Sequence, residues 1–352
     1  MSSIIMELAF RWYGNKDPIP LKYIKQIPKV TGIVSALNDV KVGSVWPIEK
    51  LKSAKKQIEE EGLKFLVIES IPVHEDIKLG NPNRDLLIDN YCQSIENMAA
   101  LGIHILCYNF MPVFDWIRTD LAMGGSDGSS SLSFNNSQLN EINFQKLSLN
   151  LPGWATHYTR EDLQNYLDAY STVGSEALWS NLKYFLKKVI PIAEENGVRM
   201  AIHPDDPPWS ILGLPRIITD EAALNRLVKI IDSPSNGITF CTGSFGANLE
   251  MDLVQAIRKF SSLNRIPFVH FRNVKHTEGN DFYESKHPTE FGDVNMYEVV
   301  KALIEIGFDG VIRPDHGRMI WGETGRPGYG LYDRALGATY LLGLWEGISK
   351  TL

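Results

Sequence analysis

A chain of 352 residues with 44% hydrophobic content and a formal net charge of −7 fits a soluble globular protein, and it is long enough for one α/β barrel with insertions. The acidic balance and the lack of basic runs argue against nucleic acid and anionic membranes as partners, since both are bound through clustered cations. No stretch nears the roughly 18 apolar residues of a membrane span, the start MSSIIMELAFRWYG lacks signal-peptide features, and three cysteines make no disulfide framework, so a cytoplasmic location is expected.

Short apolar runs alternate with longer helical patterns along the chain, which is the βαβ signature. The first run is IIMELAF (4–10), followed by a helix near 20–27. GIVSAL (32–37) leads into PIEKLKSAKKQIEEEG (47–62), where Pro47 suits a first helical turn and Gly62 a C-terminal cap. KFLVIES (64–70) precedes a helix over about 84–101, and IHILCYNF (103–110) is the fourth run. The rhythm then breaks. Residues 111–175 contain the polar stretch GGSDGSSSLSF and read as an insertion with a loop or hairpin, a lid or contact element through which copies could form a homo-oligomer.

The rhythm resumes with the helix ALWSNLKYFLKKVIPIAEENG (177–197) and the run VRMAIH (198–203). GITFC (237–241), IPFVHF (266–271) and GVIRPD (310–315) follow, with helices near 219–232, 249–260, 294–306 and 333–349. Eight strand-helix units predict a single (β/α)8 TIM barrel domain spanning 1–352, with the insertion after strand 4. No glycine-rich phosphate motif follows the first strand, so a dinucleotide fold has little support.

The late strands share a feature: the fifth ends in His203, the sixth in Cys241, the seventh carries His270 in FVHFRN, and the eighth ends in Asp315 beside His316. All strand ends of such a barrel converge on one face, so imidazole, thiolate, imidazole and carboxylate would meet there. Each alone has an ordinary explanation: a polar loop residue, a small buried hydrophobe, a turn. Four ligand-type residues at the ends of four successive strands point to a metal site. After His203, Pro204 cannot continue the ladder, and Pro207 and Pro208 stiffen the loop. The residue types leave zinc, Mn2+ and Fe2+ open.

An open metal site at a barrel mouth acts as a Lewis acid on a substrate carboxylate or hydroxyl, and removing a proton beside a carboxylate also needs a placed base. His316 and Tyr329, in RPGYGLYDR, are the candidates for acid and base, while Tyr332 is expected to open the last helix. Arg11 and Arg272 could grip a substrate carboxylate bidentately, with pairing to barrel carboxylates an equal alternative. His276 and His287 are within possible reach of the mouth; His74 and His157 lie in loops, and His104 faces the far end. Asp205 and Asp206 read as capping or surface residues before they read as partners orienting an imidazole, and Cys92 and Cys107 as core.

The stretches FRWYG (10–14), IPLKYIKQIP (19–28), IHPDDPPW (202–209), GITFCTGSFG (237–246), FVHFRNVK (268–275), RPDHGR (313–318) and PGYGLYDRA (327–335) carry a resemblance to the mannonate dehydratases of hexuronate and glucuronate degradation, in the xylose-isomerase-like barrel superfamily. The segment around 122–150 matches least well. The resemblance implies a hydro-lyase that dehydrates D-mannonate, a small sugar acid, to 2-keto-3-deoxy-D-gluconate. It implies Mn2+ or Fe2+ on His203, Cys241, His270 and Asp315, with His316 and Tyr329 in catalysis. A metal-dependent sugar isomerase or epimerase on the same barrel is the alternative, although such sites are usually richer in carboxylates than one containing Cys241. An endonuclease fits the acidic charge poorly, and a structural zinc would sit in clustered loops instead of on strand ends.

Overall fold

The structure is a computed structural model that describes residues 6–141 and 159–352. His157 and the middle of the expected insertion lie outside the described residues.

Eight parallel strands close a barrel: β1 (Glu7–Arg11), β2 (Gly32–Ser35), β3 (Lys64–Glu69), β4 (Ile105–Tyr108), β7 (Arg199–Ile202), β8 (Asn236–Cys241), β9 (Phe268–Phe271) and β12 (Val311–Pro314). Each pairs with its neighbours in chain order, and β12 closes on β1 through Glu7↔Val311 and Leu8↔Ile312. All eight expected runs are barrel strands. The helices at Ile48–Glu60, Arg84–Ala99, Ser175–Glu195, Glu221–Val228, Leu253–Ser262, Met296–Glu305 and Tyr332–Ser349 fall where the periodicity predicts them. Pro47 sits one position earlier than expected, as the N-terminal cap of its helix.

Two layers of apolar packing hold the barrel. Inside it, Ala9, Val34, Val67, Cys107, Phe268 and Val311 fill the space below the mouth. Outside, the helices bury their apolar faces on the strands in one continuous cluster. Phe185 exemplifies that layer: fully buried on the Ser175–Glu195 helix, its ring centroid lies 5.1 Å from Tyr91, 6.0 Å from Tyr108 on β4 and 5.8 Å from Phe110. Cys107 thus packs as expected, and burial pushes its thiol well above the ordinary range.

Between β4 and β7 lies the segment expected as a loop or hairpin. It is a hairpin, β5 (Asp120–Gly124) and β6 (Ser130–Phe134), followed by helices at Asn136–Glu141 and Arg160–Tyr170. The hairpin does not stand alone. β6 pairs with β11 (Phe282–Glu284), which pairs with β10 (Val274–His276), giving a four-stranded antiparallel sheet beside the barrel mouth. Runs of three residues such as FYE are too short for periodicity to reveal, so the sequence analysis misses β10 and β11.

Truncating Phe185 removes a ring that three others surround. Phe185→Ala should lower unfolding free energy by about 3–5 kcal/mol in urea titrations; a loss under about 1 kcal/mol would mean that this layer does not hold helix to barrel.

Candidate active site and metal centre

A cavity of ≈ 300 Å3 opens at the C-terminal ends of the barrel strands. Ladder register builds its floor: Cys241 on β8 pairs with His270 on β9, and His270 pairs with Arg313 on β12. His203 follows β7 directly, its N–H donating to Tyr108 O at 2.6 Å. Donor atoms of His203, Cys241 and His270 all lie within 4.8 Å of one another. Asp315 Oδ2 stands 3.8 Å from both Cys241 Sγ and His270 Nδ1.

Both imidazoles have a partner at each ring nitrogen. His203 Nδ1 donates to Pro204 O at 2.7 Å, and His270 Nε2 faces Glu69 Oε2 at 3.2 Å, an acceptor only. With both rings neutral, the state in which they could bind a cation, His203 Nε2 and His270 Nδ1 would turn lone pairs toward each other across 3.1 Å. Burial pushes His203 below its ordinary value, which keeps it neutral. Two imidazole nitrogens, a thiol sulfur and a carboxylate oxygen form a donor set that suits a cation. Glu69, Cys107 and His270 form a second group of donor type. It is the poorer one: the Cys107 thiol is held protonated by burial, and Arg313 grips both Glu69 oxygens, at 2.7 and 3.1 Å.

Beside this centre lies a proton path. His316 Nε2 is 2.8 Å from the Tyr329 hydroxyl, and Trp116 packs against both rings. Burial, with Tyr13 and Asp315 adding to it, pushes the Tyr329 phenol well above the ordinary range. His316 Nδ1 lies 3.0 Å from Glu284 Oε1 and 3.0 Å from Arg272 Nη1.

Beneath the site the charges interlock. Arg272 reaches Asp206 at 2.8 Å, Asp315 at 3.3 Å and Glu284 at 3.5 Å, while Arg118 pairs with Asp206 and Glu284, each at 2.7 Å. Burial opposes the ionised form of Glu284, but Arg272, Arg118 and His316 overcome it and hold the carboxyl at about 2. The same contest leaves Asp315 well below its ordinary value, with His316, Arg313, His270 and Arg272 outweighing burial. Arg272 runs so close over Gly243 that a Cβ there would lie 1.9 Å from its Nε.

The structure brings His203, His270, Asp315, His316, Tyr329, Arg11 and Arg272 to the wall of one cavity, with Cys241 behind that wall, 3.8 Å from Asp315. Arg272 makes the carboxylate pairs named as its alternative, and Arg11 gives Nη1 to the carbonyls of Trp12 and Val34. Two expectations fail. His276, at the end of β10, pairs with Asp293, and His287, beyond β11, is buried against Phe271; neither lines the cavity. Asp206 is a buried partner of two arginines, not a surface or capping residue, whereas Asp205 caps the backbone N–H groups of Ile217 and Ile218. Sequence reasoning misses Glu69, Tyr13, Trp116, Arg118 and Glu284. Glu69 was findable, since it ends β3 as His203 follows β7.

A family model described as "D-mannonate dehydratase (UxuA)" matches residues 6–352. A mannonate dehydratase of Streptococcus uberis is 57% identical over 345 residues, covering 98% of this chain and 99% of that protein. Mannonate dehydratase 2 of Halalkalibacterium halodurans is 55% identical, covering 98% of this chain and all (100%) of that protein. The crystal structure of mannonate dehydratase from Streptococcus suis serotype 2 superposes with a TM-score of 0.92 at 49% identity, covering 98% of this chain and 95% of that one.

Glu284 links the site to acid stability. Its carboxyl titrates near 4.5 when unfolded and about 2 when folded. Its stabilisation is therefore complete above pH 4.5 and lost as pH falls through about 2. Urea midpoints should drop across that window, and Glu284→Gln, less stable at neutral pH, should show a shallower drop. Parallel pH profiles for the two proteins would refute the assignment.

Proposed function

Because the chain belongs to the D-mannonate dehydratase family, we propose that this cavity removes water from D-mannonate to give 2-keto-3-deoxy-D-gluconate, using a divalent ion, Mn2+ or Fe2+, held by His203, Cys241, His270 and Asp315. The observation that carries the ligand set is the convergence of His203 Nε2 and His270 Nδ1, 3.1 Å apart, beside Cys241 and Asp315. The proposal takes the chain as one cytoplasmic barrel domain over 1–352, with an insertion at about 111–175. No helix among the described residues is long and apolar enough to cross a membrane.

Bound there, the ion would supply Lewis acidity toward the substrate carboxylate, which would lower the cost of removing the C2 proton. His316 takes that proton on Nε2. At Nδ1, Glu284 Oε1 would accept the ring N–H when Nε2 acts as the base, with Arg272 Nη1 equally near at 3.0 Å. Tyr329, kept protonated by its burial, donates its hydroxyl proton as the C3 hydroxyl leaves as water. The resulting enol tautomerises to the 2-keto acid. Arg11 borders the substrate, and Arg272 acts through His316 and Asp315, whose places it sets. Trp116, against His316 and Tyr329, keeps bulk water from the proton path.

Chelator-treated protein should lose keto-acid formation from D-mannonate and regain it with Mn2+ or Fe2+. His203→Ala and Cys241→Ser should not regain it at the same metal concentration. Folded, metal-loaded protein that forms no product would refute the reaction.

Tyr329→Phe should cost about 10²–10⁴ in kcat with metal affinity unchanged. Near wild-type turnover would remove Tyr329 from catalysis.

A further inference from the structure

Four arginines line the cavity: Arg11, Arg272, Arg313 and Arg326. Three have acceptors already. Arg272 and Arg313 are paired with buried carboxylates, and Arg11 donates to two backbone carbonyls. Arg326 is exposed, and among the described residues its guanidinium makes no hydrogen bond or ion pair. It lies over the Tyr13 ring, Cζ 4.1 Å from the centroid, and Tyr13 in turn meets Tyr329 edge-on at 5.1 Å.

Local sequence fixes this placement. Arg326-Pro327-Gly328-Tyr329 is a β-turn closed by Tyr329 N–H to Arg326 O at 3.0 Å. Proline at the second position and a glycine of φ +78° at the third are the signature of type II. The turn puts Arg326 and the catalytic phenol at its two ends. A side chain on Gly328 would also strike Leu132 of β6, 2.4 Å away, so the hairpin holds the turn in place.

Charge gives the turn its meaning. The cavity wall carries Glu69, Asp115, Asp206 and Asp315 against those four arginines. Among these side chains positive and negative charges are equal in number, and Arg326 is the guanidinium whose N–H groups meet no acceptor among the described residues, free to join the metal in holding an aldonate's carboxylate. A carboxylate has two oxygens and about four lone-pair sites, so it can be shared between a metal ion and a guanidinium.

We propose that Arg326 is the specificity-determining residue that reads the substrate's carboxylate, selecting an aldonate over an uncharged polyol or sugar. This rests on the dehydratase reading above. It assigns the role to a residue the strand-end pattern does not single out, because Arg326 lies on a loop beyond β12.

Steady-state kinetics of metal-loaded Arg326→Gln and wild type on D-mannonate test it. KM should rise about tenfold or more, the loss expected for one charge-assisted pair, while kcat stays within about threefold. Arg326→Lys should recover part of the KM. Inhibition by neutral D-mannitol should be the same in all three proteins. A KM for Arg326→Gln within about twofold of wild type, or an equal weakening of D-mannitol, would overturn the proposal. Calorimetric titration of D-mannonate into both metal-loaded proteins separates the two readings. Weaker binding by Arg326→Gln, with turnover in neither protein, would keep the Arg326 role and sink the dehydratase. No binding by wild type would overturn both.

Discussion

Charges carried out of water must meet their opposites, and at this barrel mouth that constraint places everything else. A buried guanidinium or carboxylate without a partner costs several kcal/mol, and recovers that cost only when geometry and hydrogen bonding are both good. Arg313 spans Glu69 and Asp315; Arg272 spans Asp206, Glu284 and Asp315; Arg118 closes the mesh through Asp206 and Glu284. Each of these side chains is fixed from at least two sides. The reactive groups inherit that rigidity, because Asp315 and His316 are held by the same arginines. The mesh also sets protonation. Glu69 and Glu284 stay ionised because arginines outweigh their burial, so both act only as acceptors toward His270 and His316. The partners each imidazole meets thus follow from a charge pattern laid down one layer deeper.

Two sheets share this work. The barrel ladder contributes Glu69, Cys241, His270 and Arg313 from strands locked in register. The four-stranded sheet contributes Glu284 from β11, and Arg118 arrives just ahead of β5. The site is therefore complete only where the antiparallel sheet lies against the barrel.

The barrel and its ligand types were legible because they follow from local pattern plus one global rule. Eight apolar runs separated by helical periodicity define the strands, and closure brings their ends together regardless of separation in sequence. His203, Cys241, His270 and Asp315 are visible on that basis. The same rule applied to KFLVIE would have found Glu69. Arg118 and Glu284 are a different case: they sit in loops and on a strand of three residues, and their partners are distant in the chain. Asp206 lies in a Pro/Asp stretch that looks like a turn, and only tertiary packing buries it. His276 and His287 misled because closeness in sequence to a barrel strand says nothing about direction once the chain leaves it for a second sheet.

The hairpin joined to the loop after β12 has a consequence for how such a protein could be altered. Ser130 and Met319 exchange two backbone hydrogen bonds, at 3.0 and 2.8 Å, and Leu132 fills the space that a side chain on Gly328 would need. Gly317, next to His316, donates its N–H to Gly328 O at 2.8 Å. Residues 130–132 and 316–329 thus form one mechanical piece, although about 180 residues separate them along the chain. A graft that swaps the hairpin between relatives to change which sugar acid is accepted would shift the Tyr329 turn with it. The exchangeable module is the hairpin together with its matched loop, and recombination points would have to respect that pairing.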